Sequence, residues 1–134
     1  MAEINEQIRV CYHVKGAYPK TIFYSDLSGL RFSASVARLV KLLRSDNGFT
    51  DLMILKPSGP YYALFIEMKK TGEKIFKKDG ITYKTEHLEE QADMIKRLNE
   101  LGYRAGFCIG EDNTIKAINA YMNENFDKLK EYFV

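Results

Sequence analysis

Thr50-Asp51-Leu52-Met53-Ile54-Leu55 and Tyr62-Ala63-Leu64-Phe65-Ile66-Glu67-Met68-Lys69 are two apolar runs joined by Lys56-Pro57-Ser58-Gly59-Pro60-Tyr61. The Pro and Gly content of the joint reads as a turn, and the runs read as paired strands. In an antiparallel pair the numbers of facing residues have a constant sum. A turn centred on Gly59 therefore sets Leu55 opposite Ala63, Met53 opposite Phe65 and Asp51 opposite Glu67. Side chains alternate along a strand, which puts Lys69 on the same face as Glu67. The expected product is a hairpin carrying one acid on each strand and a lysine beside them.

Those residue types together have a chemical reason. Like charges directly opposite each other destabilise a sheet unless a cation lies between them. Mg²⁺ prefers hard oxygen ligands, keeps several waters and takes one or two protein carboxylates, so Asp51 and Glu67 are its candidate ligands, with phosphate oxygens and water completing the shell. A cation so held lowers the pKa of its bound water and neutralises charge on a phosphodiester under attack. A nearby ammonium group orients the water or stabilises the developing oxyanion, the role expected of Lys69. Glu-x-Lys is common by chance, and an ordinary strand ending in solvent displays it too; the facing Asp51, the apolar strands and Gln91 set this instance apart. Gln91 falls on the stripe Leu88, Ala92, Ile95 and Leu98 of a helix expected from Glu86 to Leu101, capped by Thr85 and stopped by Gly102. A long amide there needs partners: a catalytic carboxylate, the scissile phosphate, or bulk water at the stripe's edge.

At 134 residues, with 46% hydrophobic and 13% aromatic content, the chain reads as a single domain over residues 1–134, with one core. Cys11 and Cys108 lie far apart without metal-ligand spacing and read as packed, reduced thiols of a cytoplasmic protein. The residues Met1 to Glu6 show no basic region leading into an apolar stretch, and no run approaches a membrane span, so a soluble, unexported protein is expected. A formal charge of +2 neither requires nor excludes nucleic acid. The local distribution is more telling. From Lys69 to Lys84 there are six lysines against two acids. Lys70, Lys74, Lys77, Lys78 and Lys84 are candidate DNA-phosphate contacts, with Phe76 and Tyr83 to support the loop or stack on exposed bases. The same segment also reads as a solvated hairpin turning at Lys78-Asp79-Gly80, its lysines guarding an edge, and the two readings are compatible.

Elsewhere, periodicity predicts a short helix over residues 3–12 with Ile4, Ile8 and Cys11 inward, and a strand at Thr21-Ile22-Phe23-Tyr24. It then predicts a Ser33-capped helix to Arg44 with Val36, Leu39, Val40 and Leu43 on one face, a strand over 103–110, and helices near 114–123 and 125–132. Glu3, one turn before Gln7, and Glu6 are candidates for a third acid, and each also reads as a solvated surface charge. Tyr18, Phe23, Tyr24, Leu27, Leu30 and Phe32 crowd around Ser28-Gly29, where they either fold back on the core or form a homodimer surface.

Gly48-Phe49-Thr50-Asp51-Leu52-Met53-Ile54 resembles the Gly-x-Pro-Asp-Leu-x-hydrophobic strand of VRR-NUC domain nucleases, a branch of the PD-(D/E)XK superfamily. Ile66-Glu67-Met68-Lys69 resembles their Ile-Glu-x-Lys, and His87-Leu88-Glu89-Glu90-Gln91 the segment bearing their glutamine. The likeness runs from Tyr18-Pro19 to Leu101-Gly102-Tyr103-Arg104-Ala105, nearest to the small stand-alone phage and prophage members. It implies an α/β, restriction-endonuclease-like core, a central mixed β-sheet flanked by α-helices. It also implies a catalytic set of Asp51, Glu67, Lys69 and Gln91, and a metal held by Asp51, Glu67, the Met68 backbone carbonyl and the upstream helical acid, Glu3 or Glu6. Thr50 departs from the family's proline, and the stretch between Lys69 and Gln91 is longer than in compact members. The implied activity is Mg²⁺- or Mn²⁺-dependent endonucleolytic hydrolysis of DNA. Stand-alone members resemble Holliday junction resolvases in being dimeric and structure-selective, so a homodimer acting on branched DNA follows by analogy. The alternatives are a DNA-binding or assembly subunit that keeps the fold without turnover, and a structural protein whose charges imitate the motif.

Overall fold

Alternation along one central strand decides which helix lies on which face of the sheet. The structure, a computed structural model, describes residues 2–26, 32–46 and 48–134, with side chains from Ile4 onward. In chain order the elements are α1 (Ala2–Ala17), β1 (Phe23–Ser25), α2 (Ala34–Leu42), β2 (Leu52–Ile54), β3 (Leu64–Lys69), α3 (Glu86–Glu100), β4 (Arg104–Ile109), α4 (Glu111–Met122) and α5 (Phe126–Tyr132). The four strands lie in the order β1-β2-β3-β4. β1 to β2 and β2 to β3 are antiparallel, and β3 to β4 is parallel, bridged by the crossover that contains α3. The architecture is therefore α/β with a mixed sheet flanked by helices, as the sequence led one to expect.

Leu64, Ile66 and Met68 of β3 point to one face, where Leu52, Ile54 and Cys108 join Val10 and Val14 of α1, Ile118 and Tyr121 of α4 and Leu129 of α5. Phe65 faces the other way and packs with Ala63, Ala105, Met94 and Leu98 beneath α3. Glu67 and Lys69 continue the Phe65 face by the same alternation, so they lie on the α3 side. The hairpin pairs Leu52 with Ile66, Met53 with Phe65 and Ile54 with Leu64, the register expected from the turn at Gly59. Thr85 caps α3 by accepting from the Leu88 amide at 3.1 Å, and Leu88, Gln91, Met94 and Leu98 form its buried face, with Ala92 and Ile95 half-buried.

Several sequence readings need correction. α1 is longer than residues 3–12 and turns Glu6, Gln7, Val10 and Val14 inward, leaving Ile8 exposed and Ile4 and Cys11 half-buried. The sheet edge beside it needs hydrogen-bonding groups: Gln7 Nε2 donates to Ser25 Oγ at 2.6 Å and to the Asp26 carbonyl at 2.9 Å, which fixes the helix by polar contacts that an apolar periodicity does not report. β1 begins at Phe23 rather than Thr21. α2 starts at its Ser33 cap as expected, but none of its residues is buried, and Val36, Leu39, Leu42 and Leu43 are exposed. Both cysteines are free thiols, and burial pushes that of Cys108 far up, so it stays protonated. Among the described residues no helix is long and apolar enough to cross a membrane.

Candidate active site

The short β2 strand ends just before the residue that matters. Leu52 pairs with Ile66, and one further step of the ladder sets Asp51 level with Glu67. Asp51 turns toward β3, its Oδ2 accepting from the Met68 amide at 2.9 Å, while its carbonyl accepts from the Asp26 amide at 2.6 Å. On the α3 side, Gln91 Nε2 donates to Glu67 Oε1 at 2.6 Å and Lys69 Nζ donates to Gln91 Oε1 at 2.9 Å. Lys69 Nζ lies 3.6 Å from the same Glu67 oxygen. One glutamine thus spans both charges, its carbonyl toward the cation and its amide toward the anion, the orientation its own polarity demands. Asp51, Glu67, Lys69 and Gln91 are only 4%, 3%, 7% and 5% exposed. Charges that deep are seldom kept without partners or a ligand.

Two elements outside the strands hold this cluster. Gly48 has a φ of +75°, and a Cβ there would come within 3.1 Å of the backbone of Glu90 and Gln91, so the loop leading to Asp51 lies directly on α3 at its glutamine. Only glycine allows both the conformation and the approach. His87, one turn before Gln91, brings Nε2 to 3.3 Å from Gln91 Nε2 and Nδ1 to 3.8 Å from Glu90 Oε2. Neither residue stands out in the sequence as part of a site. The four-residue spacing of His87 and Gln91 on one helix is the available signal for the first; for Gly48 there is only its place at the start of the motif. Thr50 is fully buried, and its Oγ1 has no hydrogen-bond partner among the described residues.

Glu3 lies outside the residues whose side chains are described. Glu6 is buried at a separate junction: it accepts from the Thr71 amide at 3.0 Å, from the Thr71 hydroxyl and from the Glu111 amide at 3.1 Å, tying α1 to the exit of β3 and the start of α4. Burial alone would raise its pKa, but the Thr71 and Glu111 hydrogen bonds and the nearby Arg9 outweigh it and hold the carboxyl below its ordinary range. Among the described residues no group of three or more His, Cys, Asp and Glu side chains gathers to form a metal cage. The donor set is Asp51 and Glu67, hard oxygens in the number that Mg²⁺ or Mn²⁺ takes from protein when water and phosphate supply the rest, and it fits such an ion. Met68, whose carbonyl belongs to the same strand segment, lies between Glu67 and Lys69, with its side chain on the opposite face.

Beyond Lys69 the chain forms the predicted hairpin, with Phe76 bridged to Tyr83. Lys70, Lys74, Lys77, Lys78 and Lys84 are all exposed. Phe76 and Tyr83 are half-buried and pack on each other, their rings 4.9 Å apart by centroid, with Tyr83 also 6.1 Å from Phe107. They support the loop, one of the two roles expected of them.

A solved structure titled "VRR_NUC domain protein" superposes on this chain with a TM-score of 0.64, covering 92% of this chain and 89% of that one at 24% identity. The two share a fold. No family model matches the sequence, and no curated protein does. With nine-tenths of each chain covered, the likeness is one of overall fold.

Proposed function

We propose that this protein is a Mg²⁺- or Mn²⁺-dependent DNA endonuclease of the VRR-NUC kind, hydrolysing phosphodiester bonds without a covalent intermediate. The observation that carries it is the buried bridge in which Gln91 joins Glu67 to Lys69 beside Asp51, on a fold shared with a VRR_NUC domain protein. Asp51 and Glu67 would hold the metal, with the Met68 carbonyl as an added ligand and Glu3 as the candidate third acid. When bound, the metal supplies Lewis-acid neutralisation of the phosphate and activation of water. Lys69 directs its ammonium at the attacking water or a phosphate oxygen, where it stabilises charge that builds as the water oxygen bonds to phosphorus. The attacking water gives up a proton to solvent as its oxygen bonds to phosphorus, one ester P–O bond breaks, and the departing sugar oxygen takes up a proton. Gln91 keeps Lys69 from closing fully on Glu67, so that both remain aimed at the substrate. Lys70, Lys74, Lys77, Lys78 and Lys84 grip the backbone of the DNA. We further propose that two copies act as a homodimer, a form suited to branched DNA, in the cytoplasm.

Purified protein incubated with linear, nicked, flapped and four-way DNA tests this reading. Cleavage is expected with Mg²⁺ or Mn²⁺ and none with EDTA or after Asp51→Asn. Salt-dependent binding without cleavage under any metal would instead mark a DNA-binding or assembly subunit, and neither binding nor cleavage a structural protein.

A further inference from the structure

The hairpin after β3 keeps one large apolar side chain out of its own packing. At its base, Ile75 is buried with Leu88 and Phe107, and Phe76 and Tyr83 close over them. At its tip, the Asp79 carboxylate accepts from the amides of Ile81 at 2.9 Å and Thr82 at 2.8 Å and from the Thr82 hydroxyl, while Gly80, at a φ of +72°, donates to the Lys77 carbonyl at 2.9 Å. The turn is thus held by its own hydrogen bonds. On it stands Ile81, 79% exposed, with Lys77 and Lys78 exposed on the same turn, and Lys84 exposed lower down, where its amide donates to the Ile75 carbonyl.

A lone apolar residue on a surface ordinarily needs no explanation. Ile81 differs in its setting: it ends an internally bonded projection, cations flank it, and the two arms of that projection run directly to Lys69 at the end of β3 and to α3, which carries Gln91. Any DNA drawn to the lysines meets the tip. We propose that Ile81 is a wedge that enters a base step of the DNA held at the site, unstacking it and bending the duplex while the neighbouring lysines neutralise the flanking phosphates. The inference rests on the DNA reading above and adds how the substrate is shaped. Because entry is easier where stacking is already interrupted, the wedge makes the protein prefer a nicked duplex to an intact one.

The test uses intact and nicked duplex oligonucleotides carrying 2-aminopurine at successive positions, in EDTA so that no strand is cut. Wild-type protein should raise the fluorescence at one step. Ile81→Ser should bind with the same salt slope but lose the rise and bind nicked duplex about tenfold more weakly, the factor expected for one buried aliphatic side chain. Ile81→Leu should restore both. Salt-dependent binding with no rise at any position, or an Ile81→Ser protein that brightens the probe like wild type, overturns the wedge while the DNA reading stands. Wild-type protein that shows no salt-dependent binding overturns both together.

Discussion

Asp51 and Glu67 occupy facing positions, and their removal should separate metal binding from the integrity of the fold. Asp51→Asn or Glu67→Gln should abolish cleavage, and should also abolish the rise in melting temperature that Mg²⁺ gives wild type, because a ligand stabilises only the state that binds it. Without metal Asp51→Asn should melt no lower than wild type, since opposed acids disfavour the sheet and an amide oxygen can still accept from the Met68 amide, whereas Glu67→Gln should melt lower because it takes the anion from beside the buried Lys69. Full cleavage by either would refute the assignment. Lys69→Ala should keep the Mg²⁺-induced shift yet lose turnover by roughly 10²–10³, the usual loss when a donor to developing charge is removed. Glu6 should behave differently, as a structural acid. Its carboxyl is held below its ordinary 4.5, so its contribution to stability is present above that pH and lost as pH falls through the lower folded value. The difference in melting temperature between wild type and Glu6→Gln should be largest near neutrality and shrink in acid; a constant difference across pH would show that the carboxylate's charge is not what matters there.

Loops and helix faces decide how far an element can be read from its sequence. The β2–β3 register was legible because a turn fixes the sum of facing numbers, and Gln91 was legible because a polar group on an apolar stripe stands out. The inward face of α1 was hidden, since Glu6 and Gln7 point inward to satisfy backbone groups of other elements, and no hydropathy pattern reports such partners. α2 has a periodic apolar face and yet buries none of it, because periodicity states what a helix can bury and not what covers it. The seat of Gly48 against α3 was likewise out of reach, because it brings together segments distant in sequence. Gly48→Ala should cost roughly 1–3 kcal/mol, the range for a non-glycine residue held at positive φ, and should displace Gln91. Its measured signature would be a lower melting temperature with a disproportionate fall in kcat. In the lysine hairpin, affinity and chemistry should part: Lys74→Gln, Lys77→Gln and Lys78→Gln combined should flatten the salt dependence of DNA binding by about 0.9 for each phosphate no longer neutralised, with turnover at saturating DNA little changed. An unchanged slope would mean that the hairpin does not touch phosphate.

Among the described residues one face is left largely apolar. Leu39, Leu42 and Leu43 of α2 and its C-cap are 58%, 75% and 86% exposed, and beside them Tyr24, Phe32, Val36, Val40, Phe49 and Met53 line a groove of about 560 Å³ that also takes in the Asp26–Arg44 ion pair. Tyr18 and Phe23, by contrast, pack against the core, the first of the two fates expected of the aromatic crowding seen in the sequence. Leu27 and Leu30, which belong to the same crowding, lie outside the described residues. An apolar face of this kind is unusual on a protein that stays monomeric, and a second copy is the occupant that the proposed function calls for, since a two-fold pair offers one active site to each of two strands. A stable pair needs roughly 800 Å² covered on each partner, more than one helix face provides, so the flanking groove must be covered with it. Light scattering at micromolar concentration should therefore give twice the 15.5 kDa chain mass. Leu42→Asp combined with Leu43→Asp should return it to the single mass while the far-ultraviolet circular dichroism and the cooperative melt are retained, because both side chains already stand in water within one copy. Cleavage of four-way DNA should then fall more than cleavage of a nicked duplex, as only the former needs two cuts in concert. A strictly monomeric mass for wild type, with and without DNA, would sink the dimer, and a dimer indifferent to both substitutions would place its interface on another face.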